Sequence, residues 1–207
     1  MSRYRIEYNN HTMKDFIDVW FIERQYFKHN TIAPPKQDKA WDEKNNDIHI
    51  FIRDIEINRI IAEVVLIPLT KKQFTDFMNN KLKDLDLNYN TIEIYKNNKS
   101  YYLLLCAIAI SKNYRNDKQV LSFMLQGIYN KICCLKKRRI KFKNFCAEFL
   151  TTDGLKFNNG FIKLKERNTT LDGYKLCCFE NSKEMKEWFK VFPKYIEQYN
   201  KTNHIHL

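Results

Sequence analysis

Apolar and polar residues alternate along this chain with two different periods, and the changes of period mark the expected elements. A two-residue alternation or a short apolar run is typical of strands, whereas a spacing of three or four residues is typical of helices. Strands are predicted at residues 3–8, 47–54, 59–69, 91–95, 101–110, 141–150, 161–164 and 174–179. Helices are predicted at residues 12–28, 71–82, 120–135 and 182–199. This order predicts an α+β fold, a mixed sheet with helices on both faces.

The first helix is expected to begin at Thr12, a residue type suited to capping a helix N-terminus. Its apolar residues at helical spacing, which are expected to face the core, are Phe16, Ile17, Trp20, Phe21 and Phe27. Residues 30–46 contain two prolines and a charged run, so they indicate a loop, either a binding loop or a plain surface connection. His49 alternates with apolar neighbours on a strand and is expected to be exposed.

The junction between residues 101–110 and the helix from Val120 is the most informative segment. Residues 101–110 form the longest and most apolar strand, which places them in the middle of the sheet. A buried strand that turns directly into a helix directs unpaired N–H groups and the positive end of the helix dipole at one point. Residues 111–118 at this turn are partly basic. The junction therefore predicts an anion site, suited to a phosphate-bearing small molecule.

Composition limits the class of protein. With 207 residues, 44% of them hydrophobic, the chain is expected to form a single domain over residues 1–207. Because it has no apolar run of about 18 residues and no signal-peptide segment, it is predicted to be cytoplasmic, without a membrane partner. The six cysteines include no Cys-x-x-Cys spacing. Buried free thiols are therefore expected, and no metal site is predicted.

The chain is strongly basic, with 36 lysines and arginines against 24 acidic residues and a net charge of +12. This charge favours nucleic acid, a phosphorylated cofactor or an acidic protein as partner. A polyanion partner would be favoured by a continuous stripe of basic residues. The stripe would comprise Lys131, Lys136, Lys137, Arg138, Arg139 and Lys141. The alternative is a solvated helix end, because cations at a helix C-terminus offset the helix dipole.

Three segments, together with the order of elements, resemble the GCN5-related N-acetyltransferase family. Residues 107–115 (Ala-Ile-Ala-Ile-Ser-Lys-Asn-Tyr-Arg) are similar to the end of the family's fourth strand and the start of its acetyl-CoA loop. The amphipathic helix from Val120 is the second segment. Residues 144–150 followed by 154–161 resemble its fifth strand, following helix and Gly-Phe turn. The resemblance covers residues 45–180 as a core, with a compatible strand, helix and loop at 1–44 and a helix and tail at 181–207.

This resemblance implies a mostly antiparallel central sheet and an enzyme, an acyl-CoA-dependent N-acyltransferase with acetyl-CoA as co-substrate. In the family's loop, Gln or Arg is followed by two residues, Gly, one residue, and Gly or Ala. Arg115 occupies the first position, but Lys118 and Val120 stand where the small residues are expected, so this member is divergent. The residues implied in binding acetyl-CoA are Ala109, Ile110, Arg115, Asn116, Lys118, Gln119 and Val120.

Acyl transfer to an amine requires a base for the amine and a proton donor for the departing thiolate. Glu63 and Glu148 are the acids inside the apolar runs 60–69 and 141–150, and either is a candidate base. Each is equally explained as an outward-facing residue of a half-exposed strand. Tyr114, with Tyr101 and Tyr102, is a candidate proton donor. The implied acceptor is a primary amine on a small molecule or peptide, and the protein is expected to be a monomer or homodimer.

Two other hypotheses remain open at this point. The first is a catalytically degraded binding protein with the same fold, which contacts nucleic acid or an acidic partner through its basic surface. The second is a small structural or toxin-related protein of another α+β fold, which would require the turn at Ser111 to face solvent without a ligand.

Overall fold

The computed structural model describes residues 2–28 and 31–205, which form seven strands and six α-helices. The strands are β1 Tyr4–Glu7, β2 His49–Asp54, β3 Arg59–Leu69, β4 Ser100–Ile110, β5 Lys141–Phe149, β6 Lys165–Thr169 and β7 Lys175–Cys178. The helices are α1 Met13–Glu23, α2 Pro35–Lys44, α3 Lys71–Met78, α4 Lys118–Lys137, α5 Thr152–Phe157 and α6 Ser182–Thr202. No helix within the described ranges combines the length and hydropathy needed to cross a bilayer.

All seven strands belong to one sheet, in the order β1-β2-β3-β4-β5-β7-β6. Every neighbouring pair is antiparallel except β4 and β5, which run parallel. A parallel pair needs a crossover connection, and α4 supplies it. The predicted fold class, a mixed and mostly antiparallel sheet in an α+β protein, is confirmed.

Helices cover both faces of this sheet. On one face α4 packs against β1, β2 and β3, and α6 lies beside α4 and packs against β5. On the other face α1 packs against α2, β3 and β4. A small core of Phe16, Val19 and Ile22 from α1 therefore meets Phe51 and Ala109 of the sheet. Central strands buried on both faces explain the continuous apolar runs in the sequence.

Two irregularities in the ladder around β4 shape the region that follows Leu105. Val65 pairs with Ala107 and Leu66 with Leu105, so Cys106 is an extra residue in β4 that faces no partner in β3. The pairing of β4 with β5 ends at Leu105 and Ala147, although β4 continues to Ile110. A bulge bends its strand and re-aims a side chain. Residues 106–110 therefore form an edge that β5 does not cover.

Several predicted elements differ in the structure. The loop predicted for residues 30–46, whose residue 30 lies outside the described ranges, contains α2, because Pro35 at its first position is compatible with a helix start. No strand forms at 91–95, where Tyr95 instead donates from its hydroxyl to the carbonyl of Leu66 (3.1 Å). The last hairpin uses residues 165–169 instead of 161–164.

The first helix ends at Glu23 and not at residue 28. As predicted, Phe16 is buried, but Ile17 and Phe21 are 40% and 50% exposed. The prediction that His49 is exposed is wrong, because α1 and α2 cover that face of the sheet. Its ring is 1% exposed and packs against Phe16 and Phe51.

We expect His49 to make the protein sensitive to acid. Burial lowers the pKa of His49 from 6.5 to about 3, so the native state excludes the proton that the unfolded chain binds below pH 6.5. The free energy of unfolding should therefore fall between pH 6.5 and pH 3 by up to about 1.4 kcal/mol per pH unit. Denaturant unfolding across this pH range should show a smaller decrease in the free energy of unfolding for His49→Leu than for the unmodified protein. Substitution of the exposed His204 by Leu should leave the slope unchanged.

Candidate active site

Three adjoining cavities follow β4 from Ile110 to the bulge at Cys106. The outer cavity, about 310 Å³, is lined by residues 108–110 of β4; the middle cleft, about 50 Å³, by residues 105–108; and the inner cavity, about 30 Å³, by Cys106 and Ala107. Ile108 is shared by the first two, and Cys106 by the last two. The uncovered edge of β4 therefore connects the outer cavity to the inner one.

The outer cavity is mainly apolar. Its apolar walls are Phe27, Ile108, Ala109, Ile110, Leu121, Met124, Phe157 and Phe161. Tyr26 adds an aromatic ring and donates from its hydroxyl to the carbonyl of Ile110 (2.7 Å). The π-helical turn Asn158–Ile162, which follows α5, brings Phe161 to the wall. An apolar cleft with few polar groups is typical of a small-molecule site.

Two cations and one anion lie at this cavity. Arg115 forms an ion pair with Asp153 of α5, and Lys156 lies 3.5 Å from the same carboxylate. The Arg115 guanidinium is 5.6 Å from the centre of the Tyr26 ring. Because two positive charges face one negative charge, the cavity has net positive charge. An anionic group on a bound molecule would be attracted to it.

At the junction before α4, where the sequence predicts an anion site, groups of the chain itself accept hydrogen bonds from several of the backbone N–H groups. The N–H of Tyr114 donates to Ser111 (2.8 Å), and that of Asp117 donates to Tyr114 (3.0 Å). The Asp117 side chain caps α4 by accepting from the Gln119 N–H (2.9 Å). A carboxylate of the chain itself therefore occupies the helix N-terminus, where the dipole favours negative charge.

The predicted acetyl-CoA residues separate accordingly. Ala109, Ile110 and Arg115 line the outer cavity. Four others are not among its lining residues: Asn116, Lys118, Gln119 and Val120. Val120 is fully buried in the core and Lys118 is exposed, so neither side chain fills the cavity. Phe157, Phe161 and Lys156, to which the sequence assigned no role in binding, do line it.

Tyr114 lies elsewhere. Its hydroxyl donates to the carboxylate of Asp54 (2.8 Å), which also accepts from Arg3. Burial, and then the hydrogen bond to Asp54, raise the pKa of Tyr114. It lines none of the three cavities, and its proton is committed to Asp54. We therefore do not retain Tyr114 as proton donor.

The inner cavity collects four carboxyl groups from four separate segments: Glu23 of α1, Asp38 of α2, Glu63 of β3 and Asp84. The first three are 8%, 6% and 1% exposed. At the bulge, the Cys106 thiol is 3.4 Å from a carboxylate oxygen of Asp84 and donates to it. No group of His, Cys, Asp and Glu in the described part of the chain is arranged to hold a metal ion.

Two hydrogen bonds hold the acidic segments together. The indole N–H of Trp41 on α2 donates to the carbonyl of Leu87 (3.1 Å), and the Gln37 side chain donates to the same oxygen (3.0 Å). They fasten α2 to the segment that carries Asp84. Asp38 and Asp84 are thereby placed at one cavity.

Among the residues that the structure describes, none forms an ion pair with any of these four acids. One oxygen of Glu63 and one of Glu23 have no hydrogen-bond partner in the described structure. Burial raises the pKa of Glu63 well above its usual range, with a further contribution from Glu23 and Asp38. Burial and Asp84 raise the pKa of Glu23 to about 8, and burial also raises that of Asp38. The free cluster therefore holds protons near neutral pH. A cation bound beside it would lower these pKa values and be stabilised by the carboxylates that form.

The two predicted bases lie in different cavities. Glu63 lines the inner cavity, and Glu148 lines the middle cleft. Burial, and then the charge of Asp84, raise the pKa of Glu148. Sequence reasoning missed Glu23, although it follows Phe16 and Val19 at helical spacing on the buried side of α1. It also missed Asp38, because α2 was predicted to be a loop.

The predicted basic stripe is interrupted. The ammonium group of Lys131 is buried and lies 3.4 Å from Asp47, and Arg138 pairs with the same carboxylate. The four remaining members, Lys136, Lys137, Arg139 and Lys141, are exposed. The charge pattern expected for a long polyanion site is therefore not formed.

No protein-family model matches the chain, and no curated protein matches it by sequence. Solved structures nevertheless match its fold. Ard1 from Thermoplasma volcanium aligns with a TM-score of 0.53 and 8% identity over 86% of this chain and 97% of that one. A chain of the NatC complex bound to Gag peptide and CoA aligns with a TM-score of 0.55 and 7% identity, over 86% of this chain and 98% of that one.

The loading GNATL domain of CurA from Lyngbya majuscula gives a TM-score of 0.51 with 11% identity, covering 86% of this chain and 98% of that domain. These alignments extend over nearly the whole of each comparison chain. The resemblance inferred from residues 107–161 is confirmed at the level of the fold. The chain therefore has the fold of the GCN5-related N-acetyltransferases.

Proposed function

We propose that this protein is an N-acyltransferase that transfers an acetyl group from acetyl-CoA to a primary amine. The observation that carries the proposal is the series of three adjoining cavities along β4, which share lining residues. The series runs from an apolar cavity with net positive charge to a buried, acid-lined one. A thioester donor with phosphate groups suits the first cavity, and an amine suits the second.

Acetyl-CoA, as donor, would supply an activated acyl group. The pantetheine arm would lie against residues 106–110, where the backbone of β4 has no β5 neighbour and has polar groups suited to the arm's amides. Arg115 and Lys156 would attract the phosphates, with side-chain charges taking the part that loop amides play at a glycine-rich turn. The thioester would then reach the middle cleft.

The ammonium end of the acceptor would occupy the inner cavity, which at about 30 Å³ has room for little more than this group. Glu23, Asp38, Glu63 and Asp84 would offset its charge, and Ile32, Ala33 and Trp41 would contact the methylene group next to it. Because the cavity is small and enclosed, it favours an unbranched aliphatic amine over the α-amine of a peptide, which carries a side chain and a carbonyl on the adjacent carbon. This acidity is local and opposite in sign to the net charge of the chain.

In the reaction, a carboxylate of the cluster, for which we propose Glu63, takes one proton from the ammonium group. The free nitrogen pair forms the C–N bond at the thioester carbonyl, and the C–S bond breaks. A protonated carboxyl of the same cluster gives its proton to the departing sulfur, so CoA leaves as a thiol. The carboxylate formed in that transfer takes the second proton from the nitrogen, which leaves a neutral amide, and the proton held by Glu63 is released to solvent. Carboxyl groups whose pKa is raised toward neutrality are suited to both proton transfers.

We expect donor affinity to depend on the charges at the outer cavity. Arg115→Ala should weaken acetyl-CoA binding in a calorimetric titration about tenfold or more, because one phosphate contact is lost. Asp153→Asn should strengthen it, since this carboxylate now neutralises Arg115. Arg139→Ala, a cation outside the three cavities, serves as control and should change nothing. Equal losses in Arg115→Ala and Arg139→Ala would contradict the assigned site.

The rate of CoA release in the presence of aliphatic amines tests the role of Glu63. Glu63→Gln should lower kcat by a factor of about 10² to 10⁴, the usual contribution of a general base. Its affinity for acetyl-CoA should be unchanged, because Glu63 does not line the outer cavity. A Glu63→Gln enzyme with full activity would exclude Glu63 as the base. Absence of turnover and of acetyl-CoA binding in the unmodified protein would overturn the function itself.

The acidic cluster should cost stability in a pH-dependent way. Glu23 has a pKa of about 8 when folded and 4.5 as its ordinary value, so its favourable contribution is complete below pH 4.5 and is lost as the pH rises toward 8. Between pH 4.5 and pH 8, Glu23 should lower the free energy of unfolding by up to about 1.4 kcal/mol per pH unit. Glu23→Gln should abolish this decrease. Chemical denaturation at pH 5 and pH 8 measures it. Exposed Glu43→Gln should leave the pH dependence as it is.

A further inference from the structure

A fourth cavity lies between the C-terminal end of α4 and the N-terminal half of α6. It has a volume of about 480 Å³, larger than the outer cavity, and we call it the α4–α6 cavity. Its floor is formed by Leu103 of β4 and Phe145 of β5. Ile132 of α4 and Met185, Trp188 and Phe189 of α6 form the walls.

This cavity is separate from the proposed acyl-transfer site. None of the residues that line it lines the outer cavity, the middle cleft or the inner cavity. It lies at the end of β4 and β5 where the two strands are still paired, and the other three lie where they diverge. A ligand here is therefore not a donor or an acceptor of the reaction.

Four cations surround the α4–α6 cavity, namely Lys136, Arg139, Lys141 and Lys186, and no acidic residue is among its lining residues. The neighbouring cations Lys131 and Arg138 both form ion pairs with Asp47. Arg139, Lys141 and Lys186 form no ion pair within residues 2–28 and 31–205.

The backbone and the aromatic wall hold two of these cations in place. Arg139 follows α4 in the left-handed region (φ 61°), and its N–H donates to the carbonyl of Lys136 (2.9 Å). The Lys136 ammonium lies 3.5 Å from the centre of the Phe189 ring. Partial burial of its ammonium group lowers the pKa of Lys136. A negative group at this position would restore the lost stabilisation of its charge.

The apolar interior and the charged surroundings together define the ligand. Protein interiors are close-packed, and a cavity of 300–1,000 Å³ with apolar walls and few polar groups is the usual form of a small-molecule site. Water is a poor occupant of the apolar part, because it finds too few polar partners there. A polynucleotide has charge along its whole length and does not match an apolar floor. A molecule with an apolar body and one anionic end matches both parts.

We propose that the α4–α6 cavity binds a medium- or long-chain carboxylate, with its hydrocarbon chain against the half-buried side chains of Phe142 and Phe189 and its carboxylate between Arg139 and Lys141. Charge complementarity selects this occupant over a neutral or cationic amphiphile. The proposal does not depend on the proposed acyl transfer. It gives a function to the part of the basic 136–141 segment that remains exposed.

The test is a titration of the full chain with decanoate, with decanol and decyltrimethylammonium as probes of equal chain length and different head group. Decanoate should bind saturably with one molecule per chain, at least tenfold more tightly than decanol, and decyltrimethylammonium more weakly still. Intrinsic fluorescence should change on binding, and Trp188→Phe should remove that change while Trp41, outside the cavity, remains. Equal affinity for decanoate and decanol would overturn the proposal.

Matched charge variants distinguish binding at this cavity from nonspecific attraction to a basic protein. Arg139→Glu with Lys141→Glu should weaken decanoate binding at least tenfold. Lys137→Glu with Lys143→Glu, the same charge change at exposed positions outside the cavity, should stay within twofold of the unmodified protein. Equal weakening by both pairs would show nonspecific attraction and exclude the site.

A cavity-filling variant, Met185→Trp, tests the apolar part independently. It should abolish decanoate binding while thermal unfolding shows a folded protein and acetyl-CoA affinity is unchanged. Retained decanoate binding in this variant would place the ligand elsewhere. If a short RNA displaced decanoate at low salt, and if both double variants lost affinity for that RNA, the surface would instead be a nucleic-acid site.

Discussion

The end of hydrogen bonding between β4 and β5 is the constraint on which the candidate site depends. The two strands are paired up to Leu105 and Ala147 and then separate, while β4 remains paired with β3 on its other edge. Backbone polar groups at such an edge need partners, and Tyr26 supplies one at Ile110. The bulge at Cys106 lies at the same point. All three connected cavities follow from this one divergence.

The inner cavity is lined by acidic groups although the chain as a whole is basic. A net charge of +12 describes the surface, whereas Glu23, Asp38 and Glu63 are removed from water in the inner cavity. Buried acids without cationic partners are tolerated because they hold protons, which avoids the cost of a buried charge. Such groups lower the stability of the folded protein, and they are typical of sites where a ligand of opposite charge binds. Net charge therefore says little about what a pocket prefers.

The divergent loop before α4 has a structural explanation. Asp117 caps the helix, so its carboxylate accepts a hydrogen bond from one of the N–H groups that a glycine-rich loop would offer to a phosphate. The positive charge at the outer cavity comes instead from Arg115 and from Lys156 of α5, two side chains from different parts of the chain. Side chains reach an anion from a greater distance than backbone amides do. Small residues are then no longer required at positions 118 and 120.

The sequence by itself determined the fold, because buried strands and amphipathic helices leave strong periodic signals, as in residues 101–110 and the helix from Val120. It also indicated Glu63 and Arg115 as candidates, since an acid within an apolar run and a cation beside a strand end are local features, and both residues line cavities of the candidate site. Only the tertiary structure decided that Glu23, Asp38 and Asp84 meet Glu63, and that His49 is buried. These outcomes depend on contacts between segments far apart in the chain, and local periodicity carries no information about which distant segments will pack together.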